Sequence, residues 1–325
     1  MELAALALVA VGAGLVSGFG TRALIPLLRK AGVAATPNER SLHSAPIPHG
    51  GGIAPVAAII LAWAALAAFG WMAPSRWPIP AGALVLAALS WWDDRAGLPA
   101  GGRLVVQAAA VAASLWLCPP GAVFQGALPL WLDRLAVAVL WLWFLNLFNF
   151  MDGADGLAGS EAASIGLGLL LLAPDWATAA LGLAIAAAAV GFLASNWAPA
   201  RVFMGDVGSV PLGYLIGFLL LQVAATGRWK AALILPLYFL ADATITLARR
   251  ALRGERIWRA HRQHFYQRAV LGGLGHAALA RRVIAANLVL IACGWAAENG
   301  LGLAALAAAA VTVAILLAVL YRGRK

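Results

Sequence analysis

The chain reads as a succession of apolar runs, separated by short segments that gather nearly all of its charge. About eleven runs approach the length of a membrane-spanning helix. They lie near residues 3–25, 52–70, 79–92, 103–118, 134–149, 157–173, 176–194, 209–225, 231–248, 282–297 and 301–321. The short alternating segments of a membrane barrel are absent, and a chain in lipid must satisfy its own backbone polar groups. The pattern therefore predicts an all-α fold, a polytopic transmembrane helical bundle of about 10–11 spans with functional loops at one face. No repeat, linker or soluble unit interrupts the pattern, so residues 1–325 are expected to form a single integral membrane domain. The first run opens Met1-Glu2-Leu3, with no basic segment before it, and is too long for a signal peptide. It is expected to be retained as the first helix.

Composition strengthens this picture. Hydrophobic residues make up 63% of the chain and charged residues 11%, against about 45–50% and about 25% in soluble domains. The formal net charge is +10, which in a soluble protein would point to nucleic acid. Its distribution argues otherwise. With an odd number of spans and the basic tail Tyr321-Arg322-Gly323-Arg324-Lys325 inside, only Arg76, Arg134, Arg228 and Lys230 of the 23 lysines and arginines fall outside. That is the positive-inside bias of a membrane protein, and the Arg228/Lys230 loop fits it least well. The same assignment places all five histidines on the cytoplasmic side, together with Asp93, Asp94, Asp152, Asp155 and Asp206. Ionisable groups at membrane depth are costly and usually functional. Cys118 and Cys293 are isolated and form no metal or redox motif; they read as packing residues.

Four inner loops carry candidate chemistry. The first contains Arg40 and His43, then Pro46-Ile47-Pro48-His49-Gly50-Gly51-Gly52, where glycines let backbone approach a ligand before a helix begins. The second is Trp91-Trp92-Asp93-Asp94-Arg95, with Arg103 opening the next run. Paired carboxylates at a helix C-terminus oppose its dipole, so they call for a cation, a proton-transfer role, or neutralisation by Arg95 and Arg103. The third spaces Asn146, Asn149, Asp152 and Asp155 at intervals of three, which on a helix puts them on one face. Such oxygen ligands suit magnesium or a nucleobase edge. The fourth holds Asn196, then Arg201-Val202-Phe203-Met204-Gly205-Asp206. A glycine beside Asp206 leaves its carboxylate unobstructed, Phe203 can stack on a base, and Arg201 can meet a phosphate.

The long basic loop from Arg249 to Arg282 holds nine arginines and the segment His261-Arg262-Gln263-His264. Arginines alone would anchor the chain against anionic lipid. Two histidines at i and i+3 share a helix face and favour diphosphate binding; zinc is disfavoured because no cysteine lies nearby. Asp242 lies within the ninth run, where it either lines the site or pairs with Thr246 or an arginine.

Taken in order, Asp93-Asp94, the run Asn146 to Ala158, Phe203 to Ser209 and the His261/His264 segment resemble the polyprenyl-phosphate N-acetylhexosamine-1-phosphate transferases, the MraY/WecA family. The resemblance covers roughly residues 30 to 270. It implies a bacterial inner-membrane enzyme with its site facing the cytoplasm, often dimeric. Such an enzyme transfers N-acetylhexosamine 1-phosphate from a UDP-N-acetylhexosamine to undecaprenyl phosphate and releases UMP. It further implies magnesium as cofactor, with manganese as a substitute, Asp206 and Asn149 as metal ligands, and Asp93, Asp94 and Asp206 as the catalytic carboxylates. Asn146, Asn149, Asp152, Asp155, Asn196 and Phe203 would frame the nucleotide, and Arg40, His43, His261, Arg262 and His264 the phosphates. The His-Arg-Gln-His segment departs from the triple histidine of the peptidoglycan branch and looks more like the initiators of O-antigen or teichoic-type polymers. Partners are then the UDP-sugar, the lipid phosphate and membrane lipid, with no nucleic acid. Two rivals fit less well. A CDP-alcohol phosphotransferase would place an arginine after Asp152-Gly153-Ala154-Asp155-Gly156, and none follows. A transporter would carry ionisable groups at mid-membrane, and only Asp242 approaches that.

Overall fold

Each apolar run is helical in the computed structural model, which describes residues 2–35, 46–258 and 261–322. The first helices are α1 (Glu2–Lys30), α2 (Ile53–Ala68), α3 (Pro78–Ala96) and α4 (Ala100–Leu117). They are followed by α5 (Leu130–Phe150), α6 (Leu157–Leu172), α7 (Trp176–Asn196) and α8 (Asp206–Val223). The ninth run is interrupted: α9 (Trp229–Ile234) and α10 (Leu237–Leu252) meet at Pro236, where proline removes a helical hydrogen bond. A short helix unforeseen from the apolar pattern, α11 (Phe265–Leu271), lies within the basic loop. The chain closes with α12 (His276–Ala296) and α13 (Gly302–Arg322). Two-residue strands β1 (Ala34–Ala35) and β2 (Ile47–Pro48) pair antiparallel, and they form the only sheet among the described residues.

Six helical stretches are long and apolar enough to cross a membrane: Ala4–Lys30, Ala100–Leu117, Leu130–Phe150, Trp176–Asn196, Asp206–Ile234 and His276–Arg322. Helices α2 and α6 are shorter apolar helices. The last two stretches turn internally, at Gly227 (φ 91°) and Gly300 (φ 94°), a left-handed conformation that glycine alone adopts without strain. Beyond Gly300, α13 packs against α12. The fold is a multi-pass membrane helical bundle.

The four basic residues assigned to one face do gather at one end. Arg76 reaches Gln222 (3.4 Å), and Arg134 donates to the Gly121 carbonyl (3.0 Å). Arg228 donates to the Leu172 carbonyl (3.0 Å) and lies 3.8 Å from Glu298, while Lys230 sits over the Trp229 ring. The candidate chemical loops occupy the other end.

Helix α8 runs through the centre, almost wholly buried. Small residues let its neighbours approach closely, the usual device where lipid supplies no hydrophobic drive between helices. A Cβ at Gly213 would stand 2.9 Å from the Cβ of Phe148 in α5. A Cβ at Gly208 would lie 2.5 Å from the Cα of Gly52, at the start of α2. The Gly52–Gly208 crossing brings the first and fourth loops together. Gly51 and Gly52 N–H donate to the Phe203 and Met204 carbonyls (both 2.9 Å), and Phe203 N–H donates to the Pro48 carbonyl (2.8 Å).

Candidate active site

Helix α3 ends in a left-handed glycine, Gly97 (φ 64°), whose N–H donates to the Asp93 carbonyl. This turn lets one Asp93 carboxylate oxygen accept from Leu98 N–H (2.7 Å). The other oxygen faces Arg103, on the first turn of α4, at 2.6 Å. The same Arg103 nitrogen lies 3.6 Å from Asp206, at the first turn of α8. Arg103 therefore bridges two carboxylates from separate helices, one buried and one half-exposed. Of the two arginines weighed as neutralising partners, Arg103 takes that position, whereas Arg95 lies over the Trp91 ring at 4.2 Å. Asp94 points the other way, toward His49 Nδ1 at 3.5 Å. That contact ties the second loop to the first.

Helix α5 stops at Phe150, so only Asn146 and Asn149 share a helix face. Asp152 and Asp155 fall in the following turn, and the four do not form the single stripe that their spacing suggests. Asn146 donates to Gln107 of α4 (2.9 Å), and Asn149 accepts from the Ser209 hydroxyl (2.6 Å). Asp93, Arg103, Gln107, Asn146, Asn149 and Asp206 line one end of a cleft of about 450 Å³. Apart from Ser90, the rest of its wall is apolar, including Leu104, Val139, Leu142, Trp143, Val210 and Trp258. Leu104, Val139 and Trp258 are exposed on the molecular surface, so the cleft opens sideways.

Asp152 is half-buried just beyond Asn149. Burial, followed by the negative charge of Asp206, pushes its carboxyl well above the usual range. Two neighbouring carboxylates, with the Asn149 amide at the end of the helix that precedes Asp152, make a donor set suited to a hard cation. Among the described residues no group of three or more histidine, cysteine or acidic side chains closes around an ion. Magnesium takes one or two protein carboxylates together with substrate phosphates. Asp206, Asn149 and Asp152 are the residues that fit such an ion.

Asp155 and Asn196, expected to face substrate, make contacts within the scaffold. Asp155 accepts from Ala200 N–H (3.0 Å) and lies 3.1 Å from His276 Nδ1. Asn196 is buried; its oxygen accepts from Gly156 N–H and its nitrogen donates to the Val202 carbonyl. Phe203 presents a half-buried ring beside the His49 backbone. Arg201, read as a phosphate ligand, instead donates to the Ala194 carbonyl at the end of α7 (2.7 Å). Arg40 and His43 lie outside the described residues.

His261 and His264 are not on a helix; they precede α11, with His264 at its N-cap. Their rings still lie side by side, 4.8 Å between centroids. His264 is buried, and its Nδ1 lies 3.2 Å from Asp242. Asp242 also accepts from Phe265 N–H (2.9 Å) and Tyr266 N–H (3.1 Å). A carboxylate from α10 thus holds the N-terminus of α11, where unpaired N–H groups and the dipole favour negative charge. Of the alternatives for Asp242, Thr246 is a partner at 3.4 Å; the α11 backbone was not foreseen. The Tyr266 hydroxyl then donates to the Phe150 carbonyl (3.0 Å) and packs on Gly153, seating the histidine segment against the aspartate turn. His261 is half-buried. Burial, and then His264 and Arg250, lower its pKa to about 4, so the imidazole is neutral near pH 7. Arg262 is exposed. Arg250 is buried rather than free for phosphate: it pairs with Glu255 (2.8 Å) and donates to the Arg256 and Ile257 carbonyls.

The fold is that of a polytopic membrane protein, and its polar loops gather beside one cleft. Residues 77–224 match glycosyl transferase family 4. The chain is 28% identical over 262 residues to a probable undecaprenyl-phosphate N-acetylglucosaminyl 1-phosphate transferase of Bacillus subtilis, covering 76% of this chain and 72% of that protein. It is 30% identical over 246 residues to a decaprenyl-phosphate N-acetylglucosaminephosphotransferase of Mycolicibacterium smegmatis, covering 67% and 60%. A phospho-N-acetylmuramoyl-pentapeptide-transferase of Synechococcus elongatus is 33% identical over 160 residues, 46% of this chain and 43% of that protein.

Proposed function

We propose that this protein transfers N-acetylhexosamine 1-phosphate from a UDP-sugar to polyprenyl phosphate at the face of the membrane that carries most of its arginines, the cytoplasmic face. The observation that carries the reading is Arg103, set between Asp93 and Asp206 at the polar end of a cleft whose other walls are apolar and open sideways. A long-chain phosphate needs such a site: a cation for its head and an oily path for its tail. The relatives named for N-acetylglucosamine align with more of this chain than those named for the muramoyl pentapeptide, which favours a simple N-acetylhexosamine donor.

In this mechanism an oxygen of the lipid phosphate attacks the β-phosphorus of the UDP-sugar. The bond from that phosphorus to the oxygen bridging the α-phosphate breaks, and UMP leaves with the electron pair. A phosphate monoester has a second pKa of about 6, so near pH 7 the nucleophile is already largely dianionic. Asp93, fixed by Leu98 N–H and Arg103, therefore positions rather than deprotonates. The harder problem is repulsion between two anionic phosphates, which Arg103 and the histidine segment counter by placing positive charge and hydrogen-bond donors. Asp206, Asn149 and Asp152 would hold magnesium, which neutralises the diphosphate when bound. Asp94 and His49, Phe203 and the Asp152 turn flank the side on which the nucleotide would rest.

Purified protein with magnesium, undecaprenyl phosphate and a panel of UDP-sugars (GlcNAc, QuiNAc, FucNAc) should release UMP with one donor. Asp206→Ala should abolish turnover while retaining its elution volume and thermal midpoint. No UMP from any donor, with an intact response to a CDP-alcohol, would overturn the proposal.

A further inference from the structure

A second cavity, of about 510 Å³, lies on the opposite side of α10 from the cleft. Leu247 faces the cleft, whereas Ile245, Thr246 and Arg249 face this cavity. Three arginines line it: Arg249 and Arg253 at the end of α10, and Arg268 from α11. Among the described residues none of the three lies within ion-pair distance of a carboxylate, unlike Arg250 beside them, which is held by Glu255. The floor is aromatic. Arg249 sits 5.0 Å above the Phe265 ring, and Phe265 lies 6.3 Å from Tyr321 of α13. The remaining wall is Gln263 and the α13 surface at Ala314, Leu317 and Ala318, where the two alanines leave a trough. The trough continues onto outward apolar residues such as Ile315 and Val319.

We propose that this cavity is a binding site for an anionic membrane phospholipid, its phosphodiester held by Arg249, Arg253 and Arg268 and its acyl chains laid along α13. Charge complementarity selects an anion. The apolar trough, continuous with the membrane-facing surface of a spanning helix, selects a lipid over a soluble phosphate. A purely electrostatic anchor would splay its arginines toward the surface potential; here they line one shared cavity with an aromatic base. The site is separate from the catalytic cleft, yet it joins α10 to α11, the helix whose N-terminus carries His264 and rests on Asp242. A bound headgroup clamps these helices together and so steadies the histidine pair.

The test uses the full-length protein in nanodiscs of phosphatidylcholine alone, or of phosphatidylcholine and phosphatidylglycerol at about four to one. Native mass spectrometry should find phosphatidylglycerol retained in preference to phosphatidylcholine, and its presence should raise both the thermal midpoint and the rate of UMP release. The variant Arg249→Gln/Arg253→Gln/Arg268→Gln should hold phosphatidylglycerol on the order of tenfold or more weakly, each arginine near a surface contributing to anionic-lipid attraction. The single variant Arg253→Gln, at an exposed position, should show a partial loss and serves if the triple variant does not fold. Equal retention by wild type and Arg253→Gln would overturn the proposal. So would equal protection of detergent-solubilised protein by inorganic phosphate, which would make the cavity a soluble-anion site.

Discussion

Arg103 donates to the Asp93 carboxylate across 2.6 Å while the same nitrogen lies 3.6 Å from Asp206. One cation thus fixes the distance between the C-terminus of α3 and the N-terminus of α8. Replacing it with glutamine leaves a buried carboxylate facing a second one with no positive charge between them. Arg103→Gln is expected to lower UMP release by at least about 100-fold, as loss of a preorganised charge at a phosphoryl site does. Arg103→Lys should recover only part of the activity, since a more strongly hydrated ammonium on a differently shaped stem does not take the same place between the two carboxylates. Turnover beside an unchanged elution profile checks this; a fully active Arg103→Gln would remove Arg103 from the mechanism.

Asp242 is fully buried and accepts from two backbone N–H groups of α11. An asparagine retains one acceptor oxygen and sets a donor against the other N–H. Asp242→Asn is expected to destabilise the protein by about 1–3 kcal/mol, the penalty for leaving such groups unpaired. Hydrogen exchange should quicken first at residues 265–267. Protection there equal to wild type would mean that α11 is held by something else.

The histidine pair gives a pH signature with a definite sign. His261 has its pKa lowered to about 4 in the fold, mainly by burial, against about 6.5 in an unfolded chain. Between these values the unfolded state binds more protons, so stability rises with pH across the window. The contribution is fully present above about pH 6.5 and is lost as pH falls toward about 4. His261→Gln should flatten the thermal midpoint against pH in that interval and leave it unchanged at pH 8. An identical slope in the variant would assign the dependence elsewhere.

The crossing of α2 over α8 predicts a steric effect. A methyl at residue 208 would meet the Gly52 Cα at 2.5 Å, closer than real contacts allow. Gly208→Ala should therefore cost about 1–3 kcal/mol, as overpacking does, and should lower activity by moving Asp206 two residues away. Gly273→Ala, where nothing stands within 4 Å but φ is +99°, offers a comparison at which only backbone strain acts. If Gly208→Ala is as stable and active as wild type, the helices have room that the packing does not suggest.

The spans were legible because lipid leaves an unambiguous mark, although the ninth run, which reads as one apolar stretch, breaks at Pro236. Asp93, Asn149 and Asp206 stand out in the sequence because polar groups at helix ends near lipid need a reason. What stayed hidden is direction. Asp155 and Asn196 have the same chemistry whether they face a ligand or hold a loop, and only the fold reveals that their partners are His276, Ala200, Gly156 and Val202. His276 lies 121 residues from Asp155, beyond the reach of any local spacing rule. Helix α11 was missed for a related reason: it is short and amphiphilic, and the carboxylate that starts it comes from another helix.

The sideways mouth of the cleft, between Leu104, Val139 and Trp258, has a kinetic consequence. A substrate entering there arrives by diffusion within one leaflet and never passes through water. The concentration that governs its capture is then its mole fraction among neighbouring lipids. Diluting the membrane with inert lipid should slow the reaction even when the amount of lipid phosphate per litre is unchanged, whereas diluting the whole suspension with buffer should affect only the nucleotide-sugar. The two substrates of one reaction would thus be counted in different dimensions, one per area and one per volume.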